Sequence, residues 1–79
     1  MQKWDYMTVT VLRDVILSIA GQRVSKTTGS LGTLEGERLH DFLTKAGQTG
    51  WEVVGLSPIT GEGRDISVLI ILKRPVDEQ

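Results

Sequence analysis

The chain has 79 residues, 39% of them apolar, with nine Lys and Arg against ten Asp and Glu and a pI near 5.7. That length holds a single domain spanning 1–79, and the charge balance excludes the basic footprint of a general nucleic-acid binder. Zero Cys and one His exclude disulfides, thiolate metal sites and His-rich sites, so neither a metal nor another cofactor is expected.

The first segment, Trp4-Asp5-Tyr6-Met7-Thr8-Val9-Thr10-Val11-Leu12, alternates. Met7, Val9 and Val11 share one face; Trp4, Tyr6, Thr8 and Thr10 share the other. That is the period of a strand. Arg13-Asp14 breaks the apolar pattern, and Val15 to Ala20 resumes it, which reads as a tight turn into a second, antiparallel strand. From Ser25 to Thr33 the chain is dominated by Gly, Ser and Thr, the composition of a loop.

One helix follows. Leu39, Phe42, Leu43 and Ala46 fall at i, i+3, i+4 and i+7, a single helical stripe. Thr33 is its expected N-cap, Glu35 and Glu37 its acidic first turn, and Gly50 its left-handed terminator. Gly36 and Gly47, near the two ends, are candidates for a close approach to the sheet.

Trp51 to Leu56 reads as a third strand, with Pro58 ending it or marking a sheet edge. Thr60 to Asp65 is a polar turn, and Ile66 to Leu72 a fourth strand. The predicted architecture is therefore α+β: a four-stranded, mainly antiparallel sheet in ββαββ order with one helix packed on one face.

One helix covers one sheet face, and a second face in water should show polar alternation. The fourth strand does not alternate in that way: Val68, Ile70 and Leu72 point one way, Leu69 and Ile71 the other. A domain this small also buries only about 60% of the surface its unfolded chain exposes. The apolar excess predicts a homo-oligomer or a protein partner, with Val68, Leu69, Ile70 and Ile71 as the candidate association residues.

The alternative is a small anion or nucleotide bound by the segment ahead of the helix. Lys26, Thr28, Gly29, Ser30 and Gly32 are its candidate ligands, because glycine amides near a helix N-terminus suit an anion. The segment is not a phosphate-binding loop of the Gly-Lys-Thr/Ser type, since its Lys precedes the glycines. No catalytic residues are expected: His40 lies off the apolar stripe, and the carboxylates sit mainly on turns and the polar helix side. The chain is not expected to be an enzyme.

Charge at Lys3 and Asp5 argues against a signal peptide. The longest apolar run, Val68 to Leu72, is far short of the roughly 20 residues a membrane helix needs. A cytoplasmic location without membrane contact is expected.

Three segments resemble one known pattern: Trp4-Asp5-Tyr6; then Leu43 with Ala46-Gly47-Gln48-Thr49-Gly50-Trp51-Glu52-Val53-Val54; and Leu72-Lys73-Arg74-Pro75. Together they resemble the small bacterial family called domain of unknown function 4177. The Gly-Trp-Glu-Val-Val block is the most specific part. The resemblance implies a compact α+β domain and carries no catalytic residues. The long Val15–Thr33 region departs from the pattern, in which shorter members go more directly to the helix.

Overall fold

The computed structural model describes residues 1–28, 33–60 and 66–76. Its elements are β1 (Trp4–Leu12), β2 (Val15–Ile19), β3 (Gln22–Arg23), β4 (Lys26–Thr28), β5 (Thr33–Glu35), α1 (Leu39–Gln48), β6 (Glu52–Thr60) and β7 (Ile66–Pro75). The predicted four-stranded sheet in ββαββ order is corrected. The chain is mostly β, with a five-stranded antiparallel sheet ordered β3-β2-β1-β7-β6 and a separate ribbon of β4 and β5.

Turn geometry accounts for the extra strand in the main sheet. Arg13 and Asp14 have φ of 48° and 66° and join β1 to β2 by a two-residue turn. Ala20 and Gly21, at 52° and 81°, do the same for β2 and β3. Two consecutive positive φ values give the turn whose twist matches paired strands, so each two-residue break reverses the chain. The ribbon comes from threonine. Thr27 and Thr28 pair with Leu34 and Thr33, and their β-branched side chains suit strands despite the glycines around them.

The ribbon also moves the helix start. Thr33 pairs in β5 and does not cap the helix; the N-cap is Arg38, without a side-chain cap bond. Backbone pairing along β2 holds the intervening residues. The Ile16 amide donates to the Glu37 carbonyl at 2.9 Å and the Leu39 amide to the Asp14 carbonyl at 3.0 Å. Arg38 also lies 3.6 Å from the Asp14 carboxylate.

The helix end agrees with the sequence. Gly50 has φ 93°, the Trp51 amide donates to the Ala46 carbonyl, and the Gly50 amide donates to the Gly47 carbonyl. This pair of bonds is the glycine-terminated cap that satisfies the last carbonyls of a helix. It turns the chain straight from α1 into β6.

The helix thus starts beside Asp14, at one end of β2, and finishes at Trp51, where β6 begins. Phe42 and Ala46 pack on Val9, Val11, Ile16, Ile70 and Leu72, with Met7, Ile19, Leu39, Leu43, Trp51 and Val68 around them. Ile16, Leu72 and Val9 are the most deeply buried side chains.

Candidate functional site

The register fixes which residues share the face away from α1. Thr8 lies opposite Ile71 and Thr10 opposite Leu69, while Val9 lies opposite Ile70 and Met7 opposite Leu72. Strand alternation therefore sends Val68, Ile70 and Leu72 to the helix and Leu69 and Ile71 to the other face. On β6, Gly55, Ser57 and Ile59 pair with Ile71, Leu69 and Ser67 and join that second face. Leu56, opposite Ile70, and Pro58, opposite Val68, lie on the helix side.

The four candidate association residues therefore divide. Ile70 is 5% exposed and belongs to the core, and Val68 is half-buried against it. Leu69 and Ile71 are half-buried on the open face, where no helix covers them. Tyr6 (66% exposed), Trp4 and Ile59 are exposed beside them. The aromatic and β6 positions are not among the four association residues expected from sequence. Tyr6 and Trp4 were signalled by the alternation of β1; Ile59 needed the continuation of β6 past Pro58.

At the β2 end of the open face the Gly36 segment lies against Val15. Around Gly36 the chain lies so close to β2 that a Cβ at Gly36 would stand 2.9 Å from Val15 Cγ1 and 3.4 Å from Ser25 Cβ. Val15 is buried there. Gly36, and not Gly47, makes the close approach: a Cβ at Gly47 meets nothing within 4 Å.

Among the described residues, charge on the open face sits at its margins, with Arg23 opposite Ser18 at the β3 edge and Lys73 and Glu52 at the other end. Lys73 Nζ lies 4.1 Å from the Trp4 ring centroid and 3.7 Å from Glu52 Oε1. The opposite face of the same sheet end repeats the arrangement: Arg74 stacks 4.5 Å from Trp51 and lies 3.9 Å from Asp5. Each cation–ring contact contributes about 0.5–1 kcal/mol at such partly exposed positions. These clusters hold the Lys and Arg heads against rings and carboxylates, leaving the middle of the open face uncharged.

The candidate anion site is assembled differently from the sequence expectation. Lys26 and Thr28 lie in β4, with Lys26 opposite Glu35. Gly29, Ser30 and Gly32 lie outside the described residues. The helix begins only at Leu39, beyond the ribbon and the Gly36–Arg38 segment, and its first amide already donates to Asp14. A glycine loop feeding directly into a helix N-terminus is therefore not what precedes α1.

His40 is exposed on the helix. Glu37 Oε1 is buried, and its partner is Lys45 Nζ. Among the described residues, no three His, Cys, Asp or Glu side chains come together as metal ligands, and no helix is long and apolar enough to cross a membrane. Comparison of the chain with family models, with curated proteins and with solved structures found no match in any of the three.

Proposed function

We propose that this chain is a small cytoplasmic association module that works as a homo-oligomer, without catalysis of its own, and that it is a domain of the 4177 type it resembles. One observation carries the reading: the single chain has more surface than its mass needs. Its accessible surface is 5927 Å². A compact monomer of 8.7 kDa exposes about 4,700 Å². The surplus is about 1,200 Å².

Shape and chemistry support the same reading. The radius of gyration is 14.3 Å, against about 11.6 Å for a compact chain of this length. Tyr6, Trp4 and Ile59 are exposed on the open face, and Val53 and Leu56 on the helix side of β6.

Association of folded chains makes stability depend on concentration by mass action. Thermal melts over a hundredfold range of protein concentration should therefore rise by about 4 °C for each tenfold step, given the unfolding entropy of two 79-residue chains. A melting temperature independent of concentration would remove the reading.

A further inference from the structure

Two pieces of chain share one lane along the outer edge of β2. Ile19 and Ser18 pair with Gln22 and Arg23, and the Leu17 carbonyl accepts the Val24 amide at 2.8 Å. The next three residues of β2 and its turn, Ile16, Val15 and Asp14, face Glu37, Arg38 and Leu39. Those contacts are the Ile16–Glu37 and Leu39–Asp14 bonds and the antiparallel bridge between Val15 and Arg38. Val24 and Glu37 thus hold neighbouring places on one antiparallel edge, although residues 25–36 lie between them in sequence. We propose that the β4–β5 ribbon is an arm inserted into this single edge strand, and that it opens and re-forms while the rest of the domain stays folded.

The point of insertion has a cause in β2. Thr10 faces Ser18 and Val11 faces Ile16, which leaves Leu17 as an extra, bulged residue. A bulge disrupts the local ladder and is a place where pairing ends. Leu17 is where the outer chain departs: its carbonyl accepts the Val24 amide and, at 3.3 Å, the Ser25 amide. The two ends of the insert then meet, since a Cβ at Gly36 would stand 3.4 Å from Ser25 Cβ. Ser25 is buried there; its hydroxyl donates to the Leu17 carbonyl, and its own carbonyl accepts from Arg23 Nε.

Beyond this base the ribbon gives nothing to the core. Lys26, Thr27 and Thr28 pair with Glu35, Leu34 and Thr33, and the ribbon joins no other strand. No described residue of 26–35 belongs to the hydrophobic core or to the half-buried side chains packed against it. A lone two-stranded ribbon is marginal in water, and this one has three residue pairs. The edge strand at its base is tied instead to β2, where Ile16 is fully buried. Local opening within one protein costs anything from almost nothing to the global stability, and few buried apolar contacts mark the low end. The ribbon lies at that low end and its base at the high one.

Two measurements test the arm. Residue-resolved hydrogen exchange on the unmodified chain compares the amides of β4 and β5 with those of Ile16, Val24 and Leu39. The arm predicts exchange at least about a hundredfold faster in the ribbon. A smaller difference would make the ribbon part of the cooperative domain and overturn the proposal. The second measurement removes residues 26–35 and joins Ser25 to Gly36, directly in one variant and through one added glycine in another. At least one of the two should keep the far-ultraviolet dichroism of a folded domain and melt cooperatively within about 5 °C of the parent. A larger drop in both, or the loss of cooperative melting in both, would show that the fold needs the ribbon and would overturn the proposal.

Discussion

Phe42→Ala is expected to remove a large part of the stability of the fold. Phe42 is 8% exposed and is the one ring that α1 sets into the sheet, against Val9, Val11, Ile16, Ile70 and Leu72. Truncating a buried Phe costs about 3–5 kcal/mol, through lost transfer energy and the cavity left behind. A domain of 79 residues has about 4–12 kcal/mol in total. With a total at the low end of that range the variant lies near its unfolding midpoint at 25 °C; in any case the loss is read as a lowered urea midpoint at constant m-value. The cavity has little chance to close. The helix is held at one end by the Leu39–Asp14 bond and at the other by the Trp51–Ala46 bond. A loss below about 1 kcal/mol would mean that α1 is not the main cover of the sheet.

Two glycine substitutions are expected to have opposite signs. Gly36→Ala would put a Cβ 2.9 Å from Val15 Cγ1 and 3.3 Å from the Ile16 carbonyl oxygen. The second neighbour is backbone within the β2 ladder and cannot swing away, so the overpacking should cost about 1–3 kcal/mol. Gly47→Ala meets open space in a helical position. There the lower chain entropy of Ala in the unfolded state should add about 0.5–1 kcal/mol. Urea denaturation at constant m-value separates the two. Equal effects at both positions would contradict the packing of the Gly36–Arg38 segment along β2.

The comparison of these glycines shows what was legible in the sequence. Spacing alone placed both near helix ends. Only the pairing of residues 33–35 with 26–28, and of 37–39 with β2, showed that Gly36 precedes the helix and packs on Val15. Thr33, Glu35 and Glu37 look like a capped helix start because local chemistry favours them there. Long-range backbone pairing overrides that preference, and it leaves no periodic trace in so short a ribbon. Where the signal is strictly local, the reading survives. The alternation of Trp4 to Leu12, the two-residue break at Arg13 and Asp14, and the left-handed Gly50 each report a backbone state set by near neighbours.

The candidate surface was half legible for a similar reason. Alternation in Val68 to Leu72 reveals that the strand has two apolar faces. It says nothing about which of them α1 covers. The answer lies in where the helix begins and ends, at Asp14 and Trp51, and that places Ile70 inside and Leu69 and Ile71 outside. Pro58 supplied a correct hint of an edge, since β6 ends the sheet. The run of β6 beyond it, which brings Ile59 to the open face, had no signal strong enough to outweigh the proline.

The central claim is that the working unit is larger than one chain. Sedimentation equilibrium of the unmodified protein at micromolar concentration tests it most directly. The account predicts a mass of at least twice the 8.7 kDa of the single chain. A single species at 8.7 kDa across that range would contradict it.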